Sequence, residues 1–329
     1  MTEPELDVHS EPGDLTEALR TDVRSGFSAA QKWLPAKWFY DARGSELFEE
    51  ITRLPEYYPT RAERETLDRE AAEIARVTGA RTLVELGSGS SEKTRLLLDG
   101  LRAYGTLKTF VPLDVSPAAL TEAVKAIQAE YPGLDVRGVV GDFTEHLGLL
   151  PGQPPRIVAF LGGTIGNFLP ADRLKFLRSV RDVLTAGEWL LLGTDLVKDA
   201  GTLMRAYDDA AGVTAQFNLN MLRVVNRVLG ADFEPGRFAH ESYWDAEHEW
   251  IEMRLRARED MTVHIPGAAI DVRFDEGEYI RTEISAKFRP AGVAAELAES
   301  GFTLERWWTD GQNRFGVSLA KAAGDEMIE

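Results

Sequence analysis

The chain contains no cysteine among its 329 residues. This absence excludes disulfides, thiolate metal ligands and catalysis by a cysteine nucleophile, including methylation of cytosine at C5. Basic residues are also scarce, because 37 lysines and arginines stand against 54 acidic residues and give a formal net charge of −17. Since binding to a polyanion requires clustered positive charge, the composition disfavours DNA and RNA as partners.

Metal-ligand patterns and long apolar runs are missing as well. The histidines show no HExxH or other tight spacing of ligands, so we expect surface or structural roles for all five: His9, His146, His240, His248 and His264. No apolar run approaches the roughly 20 residues of a membrane span, and the acidic N-terminus lacks the regions of a secretion signal. We therefore expect a cytoplasmic monomer with no metal and no membrane partner.

Helical and apolar segments alternate regularly from about residue 61. Buried strands are predicted at 82–86, 110–114, 135–140, 156–160 and 189–195, which is typical of a parallel sheet covered on both faces. After residue 199 a mostly helical stretch is followed by segments in which polar and apolar residues alternate. This alternation indicates antiparallel strands with one solvent-exposed face. A helix over 291–299 and strands at 304–309 and 315–320 follow. The pattern predicts an α/β fold in which a doubly wound, seven-stranded sheet has its last strand antiparallel, as in class I methyltransferases, with an inserted α+β lobe.

A glycine-rich turn follows the first buried strand in RTLVELGSGSSEKTRLLL. Gly87 and Gly89 allow close approach of the backbone to a ligand, and the helix start beyond them offers unpaired N–H groups. Glu85 is placed to bind an ammonium, and Lys93 lies where the helix begins. Such a turn also fits NAD, but Glu92 replaces the third glycine of GxGxxG, and its carboxylate would repel a pyrophosphate.

Two later strand ends carry acids that suit a nucleoside. Asp114 follows the turn by about 25 residues and is placed to accept hydrogen bonds from ribose hydroxyls. Asp142 is placed to accept from an adenine amino group, and Phe143 offers a ring to the base. Three successive strand ends with ELGSG, LDVS and GDF favour S-adenosylmethionine as the cofactor. An NAD-dependent oxidoreductase is the alternative from another class.

The fourth strand leads into FLGGTIGNFLP, where substrates lie in this architecture. The Asn167 amide can accept from an amine, but the Pro-Pro-aromatic sequence of base amino-methyltransferases is absent. The alternative is that asparagine only forms a turn after Gly166.

Seven motifs together resemble the histidine-specific Nα-methyltransferases of ergothioneine biosynthesis, from about Trp33 to Lys321: WFYD, ITRLPEYYPT, LVELGSGSSEKT, FLGGTIGN, LLGTDLVKD, RAYDDAAGVTAQFN and EISAKFRP. The resemblance implies trimethylation of L-histidine to hercynine, through mono- and dimethyl intermediates, with adenosylmethionine as methyl donor. It also implies roles for individual residues, because each matches a family motif.

The resemblance assigns Tyr57 and Asn167 to the substrate α-amino group, as the catalytic residues, and Tyr207 to the carboxylate. It assigns Glu283 and Ser285 to the imidazole nitrogens. Phe48, Thr214 and Met253 would shape the pocket, and the family's cofactor contacts match Gly87, Lys93, Asp114, Asp142 and Phe143.

The imidazole assignment is chemically reasonable by itself. A carboxylate and a hydroxyl at alternate positions of one strand can form hydrogen bonds with both nitrogens of the ring. The alternative is that TEIS belongs to an edge strand and forms its solvent-exposed face. A tryptophan derivative is a further candidate substrate, although Glu283 and Met253 do not suit a large apolar ring.

We expect four segments in the chain. Residues 1–60 would contribute to the substrate-binding lobe, 61–198 would form the cofactor-binding domain, 199–285 the inserted lobe, and 286–329 the completion of the methyltransferase domain. The N-terminal segment is expected to start as a polar, poorly restrained stretch with a short helix over 15–23, and order is expected to begin near Trp33. An amphipathic helix is predicted over 44–54, followed by a rigid loop at LPEYYPT.

Overall fold

Helices and strands alternate along the protein, in a computed structural model that describes residues 6–9 and 12–324. The described helices are α1 (Pro12–Ser28), α2 (Ala42–Thr52), α3 (Pro59–Thr78), α4 (Thr94–Tyr104), α5 (Pro117–Glu130), α6 (Pro170–Val183), α7 (Ala200–Tyr207), α8 (Val213–Leu229) and α9 (Pro290–Glu299).

The described strands are β1 (Leu6–Val8), β2 (Thr82–Leu86), β3 (Thr109–Asp114), β4 (Asp135–Val136), β5 (Gly138–Val140), β6 (Arg156–Phe160), β7 (Trp189–Asp195), β8 (Phe238–Asp245), β9 (Trp250–Ala257), β10 (Met261–Ile265), β11 (Ile270–Phe274), β12 (Tyr279–Ala286), β13 (Phe302–Thr309) and β14 (Phe315–Ala322). Two compact units contain them. Among the described residues, unit 1 comprises 6–9, 59–197 and 287–324, and unit 2 comprises 12–58 and 198–286.

Unit 1 is built on one mostly parallel sheet with the order β1-β5-β3-β2-β6-β7-β14-β13, in which β4 also pairs with β3. Strand β14 runs antiparallel to both β7 and β13. The predicted doubly wound sheet and its antiparallel last strand are therefore confirmed. Strands β2 and β7 are buried along their whole length, as expected for strands covered on both faces.

The prediction of seven strands was wrong, because the described sheet has nine. The single strand predicted at 135–140 is interrupted at Arg137 and forms β4 and β5, which pair with the two ends of β3. The ninth strand is β1, which pairs with β5 in parallel. Three residues are too short a segment for alternation to be detected, and only pairing with β5 marks them as a strand.

Unit 2 contains a three-stranded antiparallel sheet, β12-β9-β8, and the two-stranded β10-β11 hairpin, which agrees with the predicted antiparallel strands. Helix α8 packs on the first sheet and on α2. The Asp41 carboxylate begins α2 by accepting from Gly44 N at 2.8 Å, and it also accepts from Asn220 Nδ2 of α8 at 2.7 Å. This one side chain thus fixes the start of α2 against α8.

The expectation that order begins near Trp33 was wrong, and residues 1–5, 10 and 11 of the expected poorly restrained start lie outside the described residues. Helix α1 extends over Pro12–Ser28, well beyond the predicted 15–23, and buries Leu19, Val23 and Phe27 at spacings of four residues. Arg20 and Arg24 donate to the carbonyls of Gly267 and Ala268 at 2.6 and 2.7 Å. The prediction was too short because α1 has many charged residues and only a narrow apolar stripe, which neighbouring residues of unit 2 bury.

Across the described part of the chain, no helix has both the length and the apolar character needed to traverse a bilayer.

Candidate cofactor and substrate sites

The glycine turn after β2 depends on left-handed backbone angles. Gly87 has a φ of +69° and Gly89 a φ of +48°, a region that other residues adopt at a cost. A Cβ added to Gly89 would meet no atom within 4 Å, so the requirement there is the angle and not space. Gly87 N donates to Leu113 O at 2.8 Å, which brings the turn against the end of β3.

Asp114, at the end of β3, holds the same turn through its side chain. Its Oδ2 accepts from Gly89 N and its Oδ1 from Ser116 N, both at 2.9 Å. Burial raises the pKa of Asp114, and these backbone N–H groups oppose that rise. Because a carboxylate offers about four acceptor positions, two further donors such as ribose hydroxyls fit its chemistry.

Glu85, at the end of β2, has an unsatisfied carboxylate oxygen. Thr94 Oγ1 donates to Oε1 at 2.5 Å, whereas Oε2 is buried and has no hydrogen-bond partner among the described residues. Burial raises the pKa of Glu85 to about 7, although Thr94 and Lys93 act in the opposite direction. The Ser88 hydroxyl is also buried without a partner in the described structure, and the Ser91 hydroxyl is close enough to Glu85 to lower its pKa.

The unsatisfied atoms of Glu85 and Ser88 indicate a ligand. Each buried polar group that lacks a partner costs about 1–3 kcal/mol, so this turn is suited to a bound polar molecule. An ammonium would supply the donor that Glu85 lacks, and N–H groups of the turn can receive a carboxylate. The residues present therefore fit the amino-acid end of adenosylmethionine.

Lys93, predicted as a cofactor contact, forms an ion pair with Glu63 of α3. The Glu63 side chain is fully buried, and its carboxylate accepts from Gly162 N at 2.8 and 3.0 Å. A Cβ on Gly193 of β7 would lie 2.1 Å from Glu63 Oε1, so glycine is required there to make room for the carboxylate. Glu63 thus connects the start of α4, the loop after β6 and strand β7.

Glu63 was missed in the sequence because it lies in a helix with many acidic residues. Nothing in the pattern RAERETLDREAAEIAR separates a buried glutamate from an exposed one. The available signal was Lys93, a lysine predicted at the start of a helix beside the glycine turn, with no assigned counterion.

The GDF strand end and the TIGN loop share an aromatic cluster. The Phe143 ring lies 5.2, 5.8 and 6.4 Å from the rings of Phe160, Phe176 and Phe168, the last of which follows Asn167. Asp142 Oδ1 accepts from Thr144 N and Oγ1 at 2.8 and 2.6 Å. Asn167 is half-buried at the end of a short 3-10 turn, Thr164–Asn167.

In unit 2 the structure brings several of the predicted substrate residues together. Tyr57 and Tyr207 are each 8% exposed, with ring centroids 6.2 Å apart, and the Phe48 ring lies 6.2 Å from Tyr57. The Tyr207 hydroxyl is 2.7 Å from Ser285 Oγ. Two segments far apart in sequence thereby place two hydroxyl groups side by side.

Glu283 is paired with Met253 across the β12–β9 ladder, and a bulge lies between Arg281 and Glu283. Bulges redirect the side chains that follow them. Thr214 is buried near the start of α8, and its Oγ1 has no hydrogen-bond partner within the described chain. Seven of the eight predicted substrate residues therefore belong to unit 2, and Asn167 belongs to unit 1.

In the ranges that the structure describes, no three histidine, aspartate or glutamate side chains are grouped so as to hold a metal ion.

The charge pair in unit 1 gives a testable prediction. Lys93→Met leaves the fully buried Glu63 carboxylate without its counterion and is expected to lower the free energy of unfolding by about 3 kcal/mol. Adding Glu63→Gln removes the uncompensated charge and should restore at least half of the lost free energy of unfolding. Urea denaturation of both variants measures this, and a double variant that is no more stable than Lys93→Met would contradict the prediction.

Comparisons with known proteins give a consistent result. The model of the family described as histidine-specific, SAM-dependent methyltransferase matches residues 19–322. The chain is 57% identical over 304 residues to a histidine N-alpha-methyltransferase of Mycolicibacterium smegmatis, covering 92% of this chain and 95% of that protein. It is 54% identical over 303 residues to the histidine N-alpha-methyltransferase of Mycobacterium tuberculosis, covering 92% and 94%.

A more distant relative is an L-tryptophan methyltransferase of Psilocybe serbica, which is 27% identical over 340 residues and covers 93% of this chain and 94% of its own. The similarity thus extends to proteins with another named substrate. Because the family match spans residues 19–322 and the two bacterial relatives are more than half identical to it, this chain belongs to the SAM-dependent, histidine-specific methyltransferase family.

Proposed function

We propose that this chain is an S-adenosylmethionine-dependent L-histidine Nα-methyltransferase that makes hercynine in the first step of ergothioneine biosynthesis. The named activity of its two bacterial relatives supports this assignment. The structural observation that carries it is in unit 2, where the Tyr207 and Ser285 hydroxyls lie 2.7 Å apart and Glu283 precedes Ser285 by two residues on β12. These groups can serve a small, polar, imidazole-bearing amino acid.

The cofactor supplies an electrophilic methyl group on a sulfonium when it is bound. The residues that would hold it lie in unit 1, and their chemistry is complementary to its parts. Glu85 would accept from the ammonium, and the turn with Gly87 and Gly89 would receive the carboxylate. Asp114 would bind the ribose, and the adenine would lie with Asp142 and Phe143. Lys93 would act here chiefly by neutralising Glu63.

The attacking nitrogen must be neutral, because an ammonium has no lone pair. An α-amino group has a pKa of about 7.7–8.0, so the neutral form is accessible near neutral pH without a strong general base. The main contribution of Tyr57 and Asn167 would be to orient the lone pair, and Tyr207 would hold the carboxylate. A trimethylated nitrogen has no lone pair left, so the reaction stops after three transfers.

The imidazole would be recognised by Glu283 and Ser285. A carboxylate accepts from the ring N–H, and a hydroxyl can either donate to or accept from the other nitrogen. A substrate without that N–H forgoes the hydrogen bond to the carboxylate, and this loss of binding energy produces selectivity. Phe48, Thr214 and Met253 would complete the pocket.

We also propose that the enzyme works as a cytoplasmic monomer without a nucleic-acid partner. The net charge of −17 supports the last point, because nothing in the composition offers a polyanion an excess of positive charge. Light scattering after size exclusion tests the oligomeric state. A dimer that persists at nanomolar concentration would overturn the monomer.

Product analysis is the direct test of the reaction. Incubation with histidine and adenosylmethionine should give mono-, di- and trimethylhistidine by mass spectrometry, with the last accumulating. Competition between histidine and tryptophan distinguishes the substrates, and a preference for tryptophan would overturn the histidine assignment.

Replacement of Glu283 by alanine separates the two ligands. Glu283→Ala is expected to raise KM for histidine about tenfold or more, because it removes a charged hydrogen-bond acceptor, whereas KM for adenosylmethionine should stay within about twofold. Asp271→Ala, an exposed carboxylate on β11 of the same unit, is the matched control and should change neither constant. Equal effects on both constants would remove Glu283 from the imidazole site.

The raised pKa of Glu85 predicts how cofactor affinity depends on pH. Because that pKa is raised to about 7, the carboxylate that would accept from the ammonium becomes protonated as the pH falls below 7. The Kd of S-adenosylhomocysteine should therefore rise about fivefold between pH 7 and pH 6. Calorimetry on Glu85→Gln should give weaker binding without this pH dependence, and a variant that keeps the wild-type slope would refute the role.

A further inference from the structure

Unit 2 contains a buried polar network that none of the assigned roles uses. Asn218 of α8 is fully buried, and its Nδ2 lies 2.9 Å from His240 Nδ1 and 3.1 Å from Arg254 O. His240 Nε2 lies 2.8 Å from the backbone carbonyl of Tyr207. Thr282 Oγ1 lies 2.7 Å from Asn218 Oδ1 and 3.0 Å from Met253 O, and it donates to one of them.

The chemistry of the partners fixes the protonation of His240. A carbonyl oxygen only accepts, so Nε2 must carry a proton to bind Tyr207 O. Asn218 Nδ2 only donates, so Nδ1 must be without a proton. The ring is therefore neutral, in the Nε2–H tautomer. The orientation of the Asn218 amide is fixed in the same way, because a flipped amide would place its oxygen against Arg254 O.

The two ends of the network lie at proposed substrate residues. One end is the carbonyl of Tyr207, whose hydroxyl contacts Ser285. The other end is Thr282, in the bulge of β12 directly before Glu283. Any shift of Asn218 or His240 would therefore displace the tyrosine and the bulge relative to each other.

We propose that His240 and Asn218 are positioning residues, which hold Tyr207 and the β12 bulge in the arrangement that binds the amino-acid substrate. This inference rests on the proposed function, because it assumes that Tyr207, Glu283 and Ser285 contact histidine. A network of satisfied buried polar groups specifies one geometry more sharply than apolar packing does, because a displaced donor or acceptor is left unpaired.

The network is sensitive to acid for a geometric reason. Protonation of Nδ1 would set an N–H against the Asn218 amide N–H, two donors facing each other. The charged groups around the ring are Asp208, whose Oδ1 lies 3.8 Å from Nε2, together with Asp209 and Glu241. Burial lowers the pKa of His240, although Tyr207 O and these carboxylates oppose the effect. The neutral network is thus intact above the ordinary histidine range and is lost as the pH falls through the lowered pKa.

The first test needs no variant. In the wild-type protein, ¹⁵N spectra of labelled histidine side chains should show His240 as the neutral Nε2–H tautomer at pH 7. They should also show an apparent pKa of His240 below the ordinary histidine value of about 6.5. A Nδ1–H tautomer or a charged ring at pH 7 would overturn the proposal.

The second test separates positioning from stability. Thr282→Val removes one hydroxyl at nearly constant volume, and Asn218→Leu removes the central amide. Both are expected to raise KM for histidine, by about threefold and about tenfold, with KM for adenosylmethionine within about twofold. His264→Gln, an exposed histidine on β10 of the same unit, is the control and should match the wild type. Variants that alter neither KM, or both equally, overturn the proposal.

The third test changes the charge of the network. In Asn218→Asp the new carboxylate accepts from Nδ1–H, so His240 becomes an imidazolium that still donates to Tyr207 O, although the bond to Arg254 O is lost. The pKa of His240 should rise by at least about one unit in the spectra. Relative to the wild type, kcat/KM for histidine should then decline less on the acid side. An unchanged pKa overturns the proposal.

The wild-type protein distinguishes this inference from the proposed function. If it forms no methylated histidine, the proposed function fails and the positioning role fails with it, whatever the tautomer. If it forms methylated histidine while the variants keep the wild-type KM for histidine, only the positioning role fails.

Discussion

Carboxylates buried near the ends of the parallel strands are the constraint on which the structure of unit 1 depends. Each of them is removed from water, and each therefore has to find donors in the backbone, in a neighbouring cation or in a ligand. Asp114 finds the N–H groups of Gly89 and Ser116. Glu63 finds Lys93 and the N–H of Gly162. These bonds fix the turn after β2 and the loop after β6 without any contribution from a ligand.

Glu85 differs from these two acids because its bonding is incomplete. One oxygen has Thr94 as donor, and the other is buried without a partner in the described chain. Each oxygen of Asp114 and of Glu63 has at least one donor, so the oxygen of Glu85 that has none indicates the position of a ligand cation rather than poor packing. The same reasoning explains the raised pKa of Glu85. A carboxylate that is buried to receive an ammonium is removed from water, and this disfavours its charged form.

The sequence predicted unit 1 well because a parallel sheet leaves a clear pattern. The bounds of β2, β6 and β7 agree with the prediction, since strands buried on both faces are continuous apolar runs between turn residues. The acids at strand ends were recognised because the carboxyl ends of parallel strands meet at one edge. The partners of those acids were not recognised. Glu63 lies about 100 residues from Gly162, and only the folded chain brings them together.

The assembly of the proposed substrate residues in unit 2 could not be derived from pattern alone. Tyr57, Tyr207 and Ser285 come from three separate segments, and without the resemblance TEIS reads as an ordinary solvated strand face. The full length of helix α1 was also missed, because its buried stripe of Leu19, Val23 and Phe27 is narrow. Local propensity is weak where tertiary contacts decide the structure.

The expectation for the histidines was general, and it did not identify the role of His240. All five were expected to have structural or surface roles, and His264 is indeed an exposed partner of Asp271. His240 is also structural, yet it accepts from Asn218 at Nδ1 and donates to Tyr207 O from Nε2. An apolar side chain of similar volume would fill the same space, but it could not fix the position of a backbone carbonyl. The choice of histidine at this position therefore concerns geometry more than stability, and geometry matters most at the residues that bind the substrate.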